Sequence, residues 1–317
     1  AEALPRVPYK VPDRAGLPAL ERYARLVGPD GTPRIVGATE ATRGCKHVCR
    51  HCPIVPVYQG RFRAVPVDVV LADIRAQTEA GAEHISFADP DFFNGPTHAA
   101  RLVEALHREW PSLTYDVTIK VEHLRGHDAL LPLLRDTGCA FVTTAVESLD
   151  DVVLHHLEKG HTRADVEAVA ARCADLGLAL SPTFIAFTPW TTLASYAAFL
   201  DDVAALDLVA HVAPVQWTLR LLVTWRSRLL ELADIQALTR DFDRRTLTYP
   251  WRHPDPAVDA LQQDVMTLVG TRPGASRLDV FEAIRGRVDV ALGRPGSSRP
   301  PLVARAAIPY LTEPWYC

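Results

Sequence analysis

The chain has 317 residues, 48% of them hydrophobic and 23% charged, with a formal net charge of -4 and a pI near 6.3. That length can bury a sizeable core in one large domain or two small ones. The acidic balance argues against a nucleic-acid partner, whose phosphates demand a basic face, and no apolar run approaches the ~18 residues of a membrane span.

The opening Ala1-Glu2-Ala3-Leu4-Pro5 lacks the charged and apolar regions of a signal peptide, so the chain reads as cytoplasmic. Its start at Ala1 and its single methionine, Met266, read as a processed or trimmed N-terminus. A Pro-rich leader (Pro5, Pro8, Pro12, Pro18) covers residues 1–33. The β-rich run 34–39 is the first expected strand. Pro66 opens a helix to residue 80, with Val69, Val70 and Ile74 at helical spacing and proline in the first turn. Strands are expected over 84–88, 114–121, 140–145 and 178–187, and helices over 97–110, 128–137, 163–176 and 193–206. Gly177 closes the third of these helices as its C′ residue. A sixth strand, or a strand with its loop, is expected over 209–222.

This makes about six β/α units between 34 and 235, each short enough for a right-handed parallel crossover. Six are too few for a closed eight-stranded barrel. The expected fold is therefore α/β, a partial (β/α)6 TIM-like barrel with its chemistry at the C-terminal strand edge. Residues 236–317 read as a helical C-terminal extension, with a Gly/Pro/Ser/Arg loop over 293–301 and an ordered tail.

Six cysteines stand at Cys45, Cys49, Cys52, Cys139, Cys173 and Cys317. A disulfide framework needs a secreted, cysteine-dense chain, which this is not. Cys139 and Cys173 lie in apolar or helical patterns and read as small buried hydrophobes. The run Gly44-Cys45-Lys46-His47-Val48-Cys49-Arg50-His51-Cys52 is different, with the spacing C-x3-C-x2-C just after the first strand. Three thiolates on one short loop can hold three corners of a [4Fe-4S] cubane and leave the fourth iron open to chelate a small molecule. The competing metal is zinc, with His47 or His51 as a fourth ligand, but zinc loops usually pair two separated knuckles and no second knuckle is present.

The triplet and its position resemble the radical S-adenosylmethionine (SAM) superfamily, and the resemblance extends over residues 34–235. Phe87-Ala88-Asp89-Pro90-Asp91 is similar to that family's Gly-Gly-Glu-Pro segment for the methionine amino group, with Phe87 and Ala88 in place of the glycines and a form closer to the Asp-rich variant of cobalamin-type relatives. Ala145-Val146-Glu147-Ser148 is similar to the Gly-x-Glu-Ser segment near the ribose and methionine. His51 stands where an aromatic residue usually meets the adenine. The resemblance implies that Cys45, Cys49 and Cys52 ligate the cluster and that His51, Asp89, Asp91, Glu147 and Ser148 bind SAM. It also implies reductive cleavage to a 5′-deoxyadenosyl radical, with a flavodoxin or ferredoxin as reductant. A narrower likeness joins Arg220-Leu221-Leu222, Ser227-Arg228-Leu229-Leu230 and the ending Leu311–Cys317 to a subgroup with a Cys-Cys-Ala-Glu-Pro or selenocysteine-type tail. The sequence stops at the first such cysteine, which reads as a trimmed end.

Arg220 is a candidate bidentate partner for a cofactor carboxylate. Lys120 and Glu122, alternating with Val121 on the expected third strand, are candidates for the barrel mouth, with a salt-bridged rim as the bland reading. Tyr316 and Cys317 are weak candidates for donating a hydrogen atom or a thiol, and Thr183, Trp190 and Trp217 for the substrate wall. His84, His98, His123 and His155 show no metal spacing. With no extra cysteines for a second cluster and no Asp-x-His-x-x-Gly cobalamin segment, the residues favour rearrangement, elimination, decarboxylation, epimerisation or a single-cluster oxidation of a small molecule. The alternatives are a zinc-stabilised binding protein and a single-cluster electron carrier.

Overall fold

A computed structural model describes residues 8–272, 274–294, 302 and 308–312. Strands β1 (Arg25–Val27), β2 (Pro33–Thr39), β3 (Thr42–Gly44), β4 (Phe62–Ala64), β5 (His84–Phe87), β6 (Thr114–Thr118), β7 (Cys139–Glu147), β8 (Ala179–Phe184) and β9 (Tyr310–Leu311) form two sheets. The larger has the order β8-β7-β6-β5-β2-β1-β9. β2, β5, β6, β7 and β8 run parallel, and β1 and β9 add antiparallel partners at the edge. β3 and β4 make a separate ribbon around the cysteine loop. The result is the expected α/β class, a curved partial barrel with a helical extension, Pro256–Gly270 and Arg277–Ala291.

The helices that return the chain lie where periodicity put them, at Val67–Glu79, Pro96–Glu109, Leu131–Asp136, Arg163–Leu176 and Leu193–Ala205. Thr162 and Thr192 close capping boxes at the starts of the last two. Gly177, at φ 66, ends the fourth as expected.

Three expectations change. The sixth strand reduces to one parallel bridge between Phe187 and Arg220. Residues Val209–His211 and Pro214–Trp217 are 3-10 turns instead, because Pro214 breaks a ladder and the apolar positions Val209, Val212 and Trp217 bury among helices. The third strand stops at Thr118, and Val121–Gly126 is a short helix, so Lys120 and Glu122 belong to a helix start and not to a strand. The leader is part of the sheet through β1, and Arg14 ties it to the barrel by a bidentate pair to buried Asp73 at 2.8 Å. Tyr316 and Cys317 lie outside the described residues.

Alternation along the strands sorts the two faces. Ile85, Phe87, Tyr115, Val117 and Val142 are buried under the helices. The opposite, concave face carries Ala38, Ser86, Asp116, Phe141 and Ala179 in one aligned layer, and Thr118, Thr143 and Ser181 in the next. Closed barrels fill their interior with bulky branched side chains. Here most of these positions are small, and a lumen of about 1250 Å³ remains. Arg14, Tyr23, Arg277 and Tyr310 help to wall it off.

Candidate functional site

The cysteine loop leaves β3 through Gly44, at φ +85. A Cβ there would meet the Arg61 carbonyl at 2.5 Å and the Tyr58 ring at 2.6 Å, so the position requires glycine. Buried Asn94 donates to the Gly44 carbonyl (3.0 Å) and accepts from the Lys46 amide (3.1 Å). On the other flank the Arg50 amide donates to Leu157 O (2.9 Å), Ser227 Oγ donates to Arg50 O (3.0 Å), and Arg228 donates to Val48 O (2.6 Å). The loop is therefore held from both sides of the barrel mouth.

Cys45, Cys49 and Cys52 are free thiols. Burial, the largest influence on each, pushes Cys45 and Cys52 up to about 11, so loading iron would displace their protons. Among the described residues the only donor atoms of three His, Cys, Asp or Glu side chains that gather within 4.8 Å are those of His47, Asp91 and His123. The three sulfurs are thus more widely spread than a tetrahedral zinc allows, whose thiolates crowd within about 4 Å. Both loop histidines are engaged elsewhere. This donor set fits a cubane with one open corner and not a Cys3His zinc.

Two groups of charged side chains flank the loop. In the first, Glu147 accepts from Lys159 Nζ at 3.2 Å and sits 3.1 Å from His51 Nε2. Burial would raise the Glu147 carboxyl, but Lys159 and His51 win and hold it down to about 2. The Lys159 ammonium also lowers the Cys52 thiol. Glu147 stands at φ 67, beside a register shift between β7 and β8, a left-handed conformation that the two partners hold in place. Ser148 Oγ accepts from the Asp150 amide in the turn that follows.

In the second group, Lys120 Nζ bonds Glu122 (2.8 Å) and His47 Nδ1 (3.2 Å), and His47 Nε2 faces His123 Nε2 (3.0 Å). His123 Nδ1 lies 2.6 Å from Asp91 Oδ2, without hydrogen-bond geometry. Burial first, then the Lys120 and His123 charges, hold His47 down to about 4. A neutral His47 accepts from the ammonium at Nδ1 and turns Nε2–H to His123, while Asp91 Oδ2 and His123 Nδ1 are left without a hydrogen-bond partner.

The structure therefore brings His51 with Glu147, and Asp91 with Lys120 and Glu122, to the two sides of the loop. It does not bring Arg220, whose guanidinium bonds Asp259 and the Trp251 carbonyl and stacks 3.6 Å above the Trp251 ring. Trp217 is fully buried against Phe184 and Phe281, and Trp190 stacks on His156, so neither walls the lumen. Thr183 is buried and is not among the lumen residues. Sequence reading passed over Lys159 and Asn94, and met Ser227 only in the narrower subgroup likeness. His123 carried no visible signal, because its partner His47 is 76 positions away.

Asp89 turns to the β2–β3 corner, where it accepts from the Ala41 amide (2.9 Å) and the Thr42 hydroxyl (2.6 Å). Burial raises it to about 7 from an ordinary 3.8, against those hydrogen bonds. The folded state then holds a proton that the unfolded chain has lost between those values. The stability from this group is full below about pH 3.8 and disappears as pH rises through about 7. Urea titrations from pH 4 to 8 should show this decline in the wild type, and Asp89→Asn should remove it. An unchanged slope in D89N would assign the decline to another group.

A half-barrel with an undercoordinating trio of cysteines at its strand ends defines a class of cluster proteins that leave one iron open. Residues 39–201, just over half of the chain, match the Radical SAM superfamily, and the chain belongs to it. Cofactors of that superfamily are a [4Fe-4S] cluster and SAM. Two curated relatives are the tRNA-2-methylthio-N(6)-dimethylallyladenosine synthase of Methylococcus capsulatus, 27% identical over 188 residues (55% of this chain, 40% of that protein), and the bacteriochlorophyllide d C-12(1)-methyltransferase of Chlorobaculum tepidum, 28% identical over 149 residues (46% and 32%). Among solved structures, the cobalamin-dependent SAM radical enzyme OxsB with aqua-cobalamin and SAM bound shares the fold at TM-score 0.63 and 14% identity (80% of this chain, 46% of that one). The methyltransferase TsrM from Kitasatospora setae, with tryptophan and a SAM analogue, does so at 0.52 and 16% (74% and 52%). The chain spans about half the length of these structures and less than half of the curated relatives. No helix among the described residues is long and apolar enough to cross a membrane.

Proposed function

We propose that the chain cleaves SAM reductively and uses the resulting radical on a small organic molecule held in the barrel lumen. The single observation that carries this reading is the position of the three free thiols at the mouth of a hollow barrel. Cys45, Cys49 and Cys52 would hold the cluster, which with SAM and one electron from a flavodoxin or ferredoxin would supply the radical chemistry for hydrogen abstraction from the substrate.

The chain's own residues do the rest. Asn94, Ser227 and Arg228 fix the loop, so that Cys45, Cys49 and Cys52 would present their thiolates to a cluster from one held backbone. Lys159 offsets the negative charge that gathers on the thiolates and on Glu147. Asp91, Glu147 and Ser148 stand at the strand ends, where the polar parts of SAM are bound. The lumen walls hold the substrate carbon close and keep out solvent that would quench a radical.

Anaerobic protein reconstituted with iron and sulfide, given dithionite and SAM, is expected to be brown with broad absorbance near 400 nm and to form 5′-deoxyadenosine. Colourless protein holding one zinc, or a cluster that yields no deoxyadenosine, would favour the binding-protein or electron-carrier reading. Methylthiolation or methyl transfer is a second reading, favoured by the similarity to enzymes named for those reactions. It differs in its product, which carries a new methyl or methylthio group. Rearrangement, elimination, decarboxylation, epimerisation and single-cluster oxidation leave no such mark.

A further inference from the structure

The lumen has a charge of its own that the chemistry at the cysteine loop does not use. Asp116 occupies the middle of the concave face and is 5% exposed. Its Oδ1 lies 2.9 Å from His84 Nε2 and its Oδ2 accepts from Ser86 Oγ at 3.1 Å. His84 is completely buried behind it, with Nδ1 2.8 Å from the Thr114 hydroxyl. His84 Nε2–H on the carboxylate, with Ser86 on the other oxygen, orients Asp116 toward the open lumen.

The other charged side chains in the described lumen wall are Arg14, Asp89 and Arg277. Arg14 is bound to Asp73 through Nε and Nη2. Arg277 donates to the Ala210 carbonyl and lies over the Tyr310 ring, and Asp89 faces the β2–β3 corner. A carboxylate in an otherwise largely apolar chamber is costly unless a cation joins it. The space beside it is open, because Ala38 and Thr118 are small, and Phe141 in the same layer offers an aromatic surface. At about 1250 Å³ the chamber is larger than a typical small-molecule pocket of roughly 300–1,000 Å³.

We propose that the lumen is an amine site, which binds an apolar organic molecule through an ammonium seated on Asp116. This deepens the reading of the lumen as the substrate chamber and rests on it. Asp116 is a binding residue in this account, and the ammonium sets the depth to which the carbon skeleton enters.

The test uses the reconstituted full chain without SAM and three probes of one shape: naphthylethylamine, naphthylethanol and naphthylpropanoate, followed by fluorescence anisotropy. The amine is expected to bind about tenfold to a hundredfold more tightly than the alcohol, and the acid more weakly than either. Asp116→Asn should bring the amine to the level of the alcohol and leave the alcohol unchanged. Thr118→Lys places an ammonium two residues along the same face and should cancel the amine's advantage without removing Asp116, which keeps the test decisive if D116N folds poorly. Equal binding of amine and alcohol, absence of binding by all three, or a preference that survives both variants overturns the proposal. Deoxyadenosine formation is measured on the same preparation. Its failure would count against the reaction proposed above and not against the amine site.

Discussion

Cys49→Ala is expected to give colourless protein with the iron lost and deoxyadenosine formation reduced by more than ~100-fold, while the fold survives. Changes in residues that only support a metal ligand already cost 10- to 100-fold, and loss of one of three thiolates removes a corner that nothing nearby can replace. His47 is held by Lys120 and His123, and His51 by Glu147, so neither swings in as a substitute. The other described cysteines, Cys139 and Cys173, are buried in the core. The fold should tolerate the change because Cys49 contributes as a small buried hydrophobe, and the loop's anchors are Asn94, Ser227 and Arg228. Iron and sulfide content together with circular dichroism check this, with Cys139→Ala as the control that keeps its cluster. Retention of four irons in C49A would mean that a different residue ligates the cluster.

Lys159→Ala is expected to cost about 3–5 kcal/mol of stability, the range for breaking a buried ion pair from one side. Lys159 and Glu147 are both nearly inaccessible, at 3% and 6%, and the variant leaves a carboxylate in the interior with His51 as its remaining partner. Adding Glu147→Gln should recover a large part of the loss, because the uncompensated charge goes with it. Guanidinium denaturation of the two single variants and the double variant forms a cycle, with an expected coupling of about 2–3 kcal/mol. Additive losses would show that the two groups do not interact. The sign of the pH effect follows from the low Glu147 value. Its contribution is present above the ordinary carboxylate range near 4.5 and is lost as pH falls through about 2. Asp89 runs the opposite way, losing its contribution as pH rises toward 7, so the acid and neutral limbs of the stability profile belong to different residues.

The order of strands and crossing helices was legible because each is a local pattern: alternation over 114–118, a 3.6 period over 163–176, and a Gly stop at 177. The misread segments are those where a distant contact outweighed the pattern. Val121 has the look of a strand residue, yet it begins a helix once Lys120 is drawn toward His47 and Glu122. The apolar run 209–222 reads as a strand because its side chains are buried, but helices bury them and no ladder is made. Arg220 satisfies the chemistry of a carboxylate clamp, and only the position of Asp259 and Trp251, more than thirty residues on, shows where its charge is used.

The sequence by itself brought the proposed cluster ligands together, since three cysteines within eight residues must share one loop whatever the rest of the chain does. It also determined the repeating β/α plan, because hydrophobic period is written residue by residue. Tertiary structure alone decided which charges meet. Lys159 reaches Glu147 only across a helix and a turn, and His47 reaches His123 only across two strand ends. It alone made the lumen as well, by aligning small side chains from five strands on one face around Asp116. Such an alignment depends on register between segments far apart in the chain, which no local pattern encodes.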